Sequence, residues 1–556
     1  MVSKLARFLQ KEWTSLHQAA FLLAGTAILS QFLGLLRDRL LASSFGADSQ
    51  LDVYYAAFRL PDIIYVSVAS FVSATVLIPL IIRRAEAKVS IDKFLNSILS
   101  AFLLVMVIVS FLLFLLMPIV AHWIAPGFDQ ASTDLLVTLS RLMLLSPLLL
   151  GLSNLLGSIV QANRQFTSFA LSPLLYNLGI IFGIVVFYPY LGLVGLALGV
   201  SLGAVFHLLI QVPAIIKVGY APKLTAINWS EIWSVVSASL PRTLTLSAHQ
   251  ISLAVLVAIA SLFSKGSISV FNFAFNLQSV PLAIVGVSYS VAAFPVLASY
   301  FSAGKLKEFI GQIVSASRHV IFWALPATVF FIVLRAQIVR VILGSGQFDW
   351  QATRLTAACL ALFVVSVLAQ SLILLLVRGY YAAGQTKTPL ILNLSSSILI
   401  IVFAFGFKEI FIKWDLFRYF LESLLRLDDL RGSEVLILPL AFSLGIIINL
   451  GALAIFFERH FGHWFKGVGK TFFQSFSASV MGGAVTYLVL ALLGRYWGLD
   501  HFWSVFGQGV VSGLIGVAVW LAILILLKSE ELVELSKSLF ARVWKAQPIV
   551  PEAEGL

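Results

Sequence analysis

Three arginines embedded in otherwise apolar stretches, Arg37, Arg59 and Arg242, are the residues of this chain best suited to chemistry. A guanidinium presents its donors as a planar fork that matches the oxygens of a phosphate or carboxylate, and holding one at bilayer depth costs about 3 kcal/mol on insertion scales. A group kept there faces a partner, a cavity or an anionic ligand. Acidic residues stand close by: Asp38 follows Arg37, Asp52 opens the next apolar run, and Asp62 comes one helical turn after Arg59. Arg59 and Asp62 share a helical face at that spacing and could neutralise each other, and a structural role is the favoured reading of Asp38 and Asp62. Arg242 follows Pro241, with His249 and Gln250 about two turns further along the same helix, and symmetric packing would turn these towards Arg59. Gln31 and Asn276, with Ser30, Asn272 and Gln278, extend the polar set, although an amide in a membrane helix more often ties helices together than touches a ligand. Such a set binds an anion. Arg141, Asn154, Arg318, His319 and Arg378 lie nearer helix ends, where snorkelling accounts for them. No cluster of His, Asp and Glu has metal-ligand spacing, and there is no P-loop or nucleotide fold pattern, which argues against a metal and against ATP hydrolysis.

The elements that must carry these residues are membrane spans. In 556 residues, 60% are hydrophobic and only 11% charged, and the mean hydropathy is +1.00, a composition that no water-soluble core can hide. Apolar runs long enough to span recur along the chain and predict about fourteen transmembrane helices. The formal charge of +12 sits in short Lys and Arg clusters between these runs, so it is topogenic and does not form the continuous basic stripe of a nucleic-acid binder. Alternate loops receive Arg83, Arg84, Lys88 and Lys93, then Arg164, Lys217, Lys223, Lys305, Lys307, Lys387, Arg459, Lys466 and Lys470, which puts both termini in the cytoplasm. The first span, preceded by Lys4, Arg7 and Lys11, is read as uncleaved. The one cysteine, Cys359, lies in an apolar run and cannot form a disulfide within the chain.

The expected organisation is a cytoplasmic segment 1–18, a six-helix lobe 19–218, a second six-helix lobe 231–458, a final helix pair within 470–528 and a cytoplasmic tail 529–556. Charges of both signs in 408–434 interleave with Phe411, Trp414, Phe417, Leu421 and Leu424, which predicts an amphipathic segment, either lying in the outer interface or capping the protein. The lobes resemble each other. Ala57-Phe58-Arg59-Leu60 matches Ala274-Phe275-Asn276-Leu277, Pro79 matches Pro295, and Phe128-Asp129 matches Phe348-Asp349, in the same order and at a nearly constant offset. A six-span unit returns the chain to its starting side, so the repeats are parallel and enclose a cavity between them.

The stretch Gly34-Leu35-Leu36-Arg37-Asp38, then Phe45-Gly46-Ala47, Asp52 and Ala57-Phe58-Arg59-Leu60-Pro61, resembles the opening signature of the MurJ/MviN lipid II flippases. Ala125-Pro126-Gly127-Phe128, the turn Gln161-Ala162-Asn163-Arg164, Gln250-Ile251-Ser252 and Lys387-Thr388-Pro389 resemble the family in the same order. Each motif alone is weak; their combination, from the first span to the twelfth, is specific. The resemblance implies a member of the multidrug, oligosaccharidyl-lipid and polysaccharide exporter superfamily, with two six-helix lobes and two extra helices that form a groove for a lipid tail. It implies a flippase in the bacterial cytoplasmic membrane, not an enzyme. Rocking of the lobes would carry the lipid II headgroup outward, driven by the membrane potential or an ion gradient and without a cofactor. On that reading Arg37, Arg59 and Arg242, with Gln31 and Asn276, contact the anionic headgroup, while Asp38, Asp52 and Asp62 support those charges or gate closure. Several charges usual in the family are replaced: Gln31 stands for an Arg, Tyr65-Val66 for Arg-Arg and Phe275-Asn276 for Asp-Arg, and Arg242 occupies a position usually apolar. The rival expectations are export of another lipid-linked oligosaccharide or amphiphile, and a transport-dead scaffold for cell-wall synthesis proteins. The expected partners are therefore a lipid-linked anionic precursor, membrane lipids and cell-wall synthesis proteins, with no nucleic acid.

Overall fold

The computed structural model describes residues 16–72, 74–86, 91–163, 165–498 and 501–544, and every regular element among them is a helix. The expectations for residues 1–15, Lys88, Arg164 and the tail from 545 lie outside these residues. Helix is the form an apolar segment takes in lipid, because it satisfies every backbone polar group internally. Eleven helices among the described residues are long and apolar enough to cross a membrane. There are twelve if Trp350–Val364 and Val367–Ala382, which meet at a bend of 40°, form one span. The chain is an all-α multi-pass membrane protein. The expected count of about fourteen is not reached by this measure. Two expected spans stand outside this count: Leu16–Phe45, which is apolar up to Leu36 and closes with Arg37, Asp38 and Arg39, and the stretch from Ser49 to Glu86, which is broken into short helical pieces around Arg59 and Asp62. The long helix Ile91–Ile124 exposes Val107, Phe111, Leu115 and Trp123, an apolar surface suited to lipid tails.

The duplication is written in the backbone as well as in the sequence. A π-helical segment, Tyr65–Ala69, follows Ala57-Phe58-Arg59-Leu60, and a second, Leu282–Val287, follows the matching Ala274-Phe275-Asn276-Leu277 at the same sequence offset. Such bulges release backbone groups locally and bend the helix. The two Phe-Asp pairs also act alike. Asp129 accepts the Ser132 N–H at 2.8 Å and Asp349 accepts the Ala352 N–H at 2.7 Å, so each caps the N-terminus of a helix. Both capped helices then break, into Gln130–Met143 with Leu145–Ala162, and Trp350–Val364 with Val367–Ala382.

Contacts divide the chain into two compact units. The first comprises Met1–Val280, Val339–Phe363 and Gln385–Asn449 and holds every residue expected in the site. Within it, Phe166–Phe182 and Leu193–Leu209 pack through glycines: a Cβ on Gly179 would stand 2.2 Å from the Gly203 Cα, a contact only small residues permit. The second comprises Pro281–Ile338, Val364–Gly384 and Leu450–Leu556. In that unit the final pair, Trp464–Leu493 and Phe502–Leu526, joins Leu306–Val333 around Phe322, Ala478, Trp520 and Leu524.

The segment 408–434 departs from expectation. Residues up to Lys413 continue the preceding helix Lys387–Lys413, and the separate helix is Asp415–Leu425. The predicted stripe is split: Phe411 and Leu421 are buried, whereas Trp414 and Leu424 are exposed. Arg354 fastens the segment to its own unit through both carboxylate oxygens of Asp429, at 2.8 and 2.7 Å, so packing as well as amphipathicity decides which face is hidden.

Candidate functional site

The helix Ser267–Pro281 organises the site, because Ser269, Asn272 and Asn276 recur at the three- and four-residue spacing that places them on one face. Each of the three reads a charged residue of the first repeat. Ser269 donates to Asp52 from its backbone N–H at 2.7 Å and from its hydroxyl at 2.6 Å. The Asn272 carbonyl oxygen accepts the Arg59 guanidinium, and the Asn276 amide donates to Asp38 at 2.9 Å. Asp38 in turn takes Arg37 through Nε at 3.0 Å and Nη2 at 2.8 Å, and Arg37 reaches Asn177 at 3.4 Å. Five of the expected residues are therefore brought together: Arg37, Asp38, Asp52, Arg59 and Asn276.

The two arginines are not equivalent. Arg37 is ion-paired and keeps 23% of its side chain exposed. Arg59 is buried, forms no ion pair among the described residues, and leaves Nε without a hydrogen-bond partner. It makes no ion pair with Asp62, whose charge reaches it only through space, because the guanidinium turns to the second repeat and the carboxylate lines a separate cavity beside Tyr65, Tyr176 and His207. A buried cation held only by an amide oxygen is under-compensated, and an anion supplies what it lacks.

At the end of the unit away from the Lys- and Arg-rich loops, three turns interlock. The Gln347 N–H donates to the Ser43 carbonyl at 2.9 Å, and the Gly266 N–H donates to Asp52 at 2.7 Å. Gly46 has φ +66° and stands so close to Gln347 that a Cβ would lie 2.5 Å from its carbonyl oxygen, a combination only glycine accepts. Arg39 donates to the Val341 and Ile342 carbonyls at 2.6 and 3.1 Å, capping the C-terminus of Arg335–Leu343. Asp52 thus binds backbone and a hydroxyl instead of an arginine, and the two repeats are sealed at this end. Above the seal is a polar basin of about 510 Å³ lined by Asp48, Lys265, Gln347, Asp349 and Arg431.

Arg242 does not face Arg59. The hydroxyls of Ser67 and Ser247 lie 2.9 Å apart and mark one level on two antiparallel stretches, which also meet at Arg84 and Glu231, 2.9 Å apart. Measured from that level at helical rise, Arg59 and Arg242 lie on opposite sides and are separated by roughly 20 Å along the axis. Arg242 is partly buried near the basic end and already has an interaction partner. His249 packs against the Phe442 ring at 6.1 Å, and Gln31 is partly buried earlier on the first helix. Asn177 and Ser269 were missed by sequence reasoning, and Arg39, marked as a charge closing the first span, was given no role. The regular spacing of Ser269 with Asn272 and Asn276 was a usable signal for that residue; nothing local marked Asn177.

An all-α chain built from two parallel repeats, with charged side chains buried where the repeats meet, has the architecture of a membrane transporter. The model of one family, the lipid II flippase MurJ, matches residues 41–507, and the chain belongs to that family. A probable lipid II flippase MurJ of Rhizobium tropici is 28% identical over 68% of this chain and 72% of the relative. A lipid II flippase MurJ of Burkholderia cenocepacia is 25% identical over 67% and 75%. Among solved structures, a lipid II flippase MurJ in an inward closed conformation shares the fold with a TM-score of 0.72 at 22% identity, covering 94% of this chain and 99% of that one. An inward-facing multidrug resistance MATE transporter of the MOP superfamily gives 0.63 at 14% identity, covering 78% and 96%.

Proposed function

We propose that this protein flips lipid II, the lipid-linked peptidoglycan precursor, across the bacterial cytoplasmic membrane by alternating access. Family membership supports the reaction, and one observation carries it to this chain: the buried Arg59 guanidinium has no carboxylate partner and an unused Nε donor. A diphosphate offers paired oxygens to such a fork, and charge-assisted bonds of this kind are about twice as strong as neutral ones. Arg242, nearer the basic end, would meet the headgroup first, and Arg59 and Arg37 would take it deeper. Opening at the far end requires Ser269, Asn272 and Asn276 to release Asp52, Arg59 and Asp38, which leaves these charges free for substrate or for water. The Lys- and Arg-rich loops argue for both termini in the cytoplasm, and the membrane potential or an ion gradient would drive the cycle. Cell-wall synthesis proteins are its expected neighbours.

The test is complementation of a strain depleted of its lipid II flippase, reading both growth and lipid II exposed at the outer surface. The wild-type chain is expected to restore both, and the triple replacement of Arg37, Arg59 and Arg242 by Ala neither. Insertion without any return of exposed lipid II would refute the assignment. Growth without exposure would instead favour the scaffold.

A further inference from the structure

The carboxylate of Asp62 is left over from the site just described. It lines a cavity of about 290 Å³ within the first repeat, with Tyr65, Ser146, Tyr176 and His207 among its walls. The Asp62 carboxylate accepts no hydrogen bond and makes no ion pair among the described residues. An ionised carboxylate in such a place has no protein donor, whereas a neutral carboxyl brings its own. Two cations act on it from a distance, Arg59 on its own helix and Arg37 on the first. Tyr65, Tyr176 and His207 are the other titratable groups of the walls, and the wall formed by Met143, Pro147 and Leu150 contributes none.

A polar line leads away from this cavity towards the basic end. His207 Nδ1 lies 2.8 Å from the Ser153 hydroxyl, which accepts the Gln211 amide at 2.6 Å, and Gln211 also reaches Ser172 at 3.4 Å. On the cavity side the Tyr176 ring stands edge-on to the His207 ring, 6.5 Å between centroids, and the Tyr65 hydroxyl accepts the Asn154 amide at 2.7 Å. A metal cation would need about six oxygens around it. The cavity holds one carboxylate and a few hydroxyls among apolar side chains.

We propose that Asp62 is a proton-binding site inside the first repeat, in a cavity it shares with His207, and coupled to the anionic substrate. One proton adds to one carboxylate oxygen and is later released from it, and no other bond changes. The coupling rests on the flippase reading; the site does not. An anion bound to Arg59 and Arg37 cancels the positive field at Asp62 and favours the neutral carboxyl, so substrate and proton each help the other bind, as linkage demands.

Infrared difference spectra of the purified protein in lipid nanodiscs, recorded across pH steps without substrate, test the site. A neutral-carboxyl band is expected to grow on acidification in the wild type, to be missing in Asp62→Asn and to persist, displaced, in Asp62→Glu. Identical spectra for wild type and Asp62→Asn would overturn the proposal, as would sodium chloride removing the band at fixed pH where choline chloride does not. Lipid II added at fixed pH is expected to increase the band. Lipid II that binds and leaves it unchanged overturns the coupling, whereas lipid II that fails to bind while the band is intact removes the flippase reading and leaves the proton site standing.

Discussion

Arg59 and Asn272 form the contact on which the site turns, because a full positive charge is matched there with a neutral oxygen. Replacing Asn272 by Asp supplies the missing counter-charge in a side chain of the same shape, and that ion pair has to outweigh the lost amide bond to the Ile268 carbonyl, 2.7 Å in the native protein. The sealed state should gain stability while the anion loses its place, so the two measurements move in opposite directions. Thermal unfolding in detergent is expected to shift upward in Asn272→Asp, and lipid II affinity to fall by about tenfold or more, the worth of one charged hydrogen bond. A fall in both would mean that Arg59 does not see the introduced carboxylate. Asp38 follows the other strategy: its two oxygens are divided between Arg37 and Asn276, so it is compensated on both sides.

Helices bring the residues together by spacing and by caps. The face of Ser267–Pro281 that carries Ser269, Asn272 and Asn276 is a seam, and its polar groups fix which residues of the first repeat it can accept. In the second unit another helix is positioned by charge. Arg318 reaches Glu530 at 2.5 Å and Glu531 at 2.7 Å, Lys470 reaches Glu530 at 2.7 Å, and Thr471 donates to Glu531 at 2.5 Å. Arg318 was expected merely to snorkel; it docks the helix Glu530–Trp544 instead. The bonds from Lys470 and Arg318 hold the Glu530 carboxyl down to about 2. Burial pushes Glu531 upward, but the bonds from Thr471, its own backbone, Ser529 and Arg318 outweigh it and the net direction is down. A carboxyl lowered by folding stabilises docking above its ordinary value of 4.5 and loses that contribution as the pH falls towards about 2. Hydrogen exchange of this helix, taken relative to the intrinsic amide rate at each pH, is therefore expected to stay unchanged from neutrality down to about pH 5 and to quicken progressively below it. Concentrated salt should quicken it at neutral pH, since Glu530 is exposed.

At the scale of the molecule, transport requires the seal formed by the turns around Ser43, Gly266 and Gln347 to open and close. Its parts come from both repeats, so opening it means separating them. The native Cys359 is buried, which leaves introduced cysteines as the reactive thiols once it is changed to Ser. The double variant Ser43→Cys with Gln347→Cys is expected to form a disulfide across the seal and to stop lipid II exposure, with recovery on adding a membrane-impermeant reductant. Unimpaired exposure in the oxidised protein would show that flipping does not pass through this opening.

The solvent, the duplication and the cost of the intramembrane arginines were legible in the residues alone, because hydropathy, spacing and charge are local properties that need no partner to be recognised. Matching short motifs even anticipated shared backbone irregularities, since the two π-helical segments and the two aspartate caps follow them at fixed distances. Which charges meet was not legible. The choice of Asn272 over Asp62 for Arg59, of a backbone turn for Asp52 and of Glu530 for Arg318 depends on how antiparallel helices slide and rotate against one another. The wide axial gap between Arg242 and Arg59 has the same origin, for a shift of a few residues in register carries a side chain several ångströms and leaves composition and periodicity untouched. Residue types thus determined what this protein binds in, while tertiary packing alone decided which of its charges remain unsatisfied and able to act.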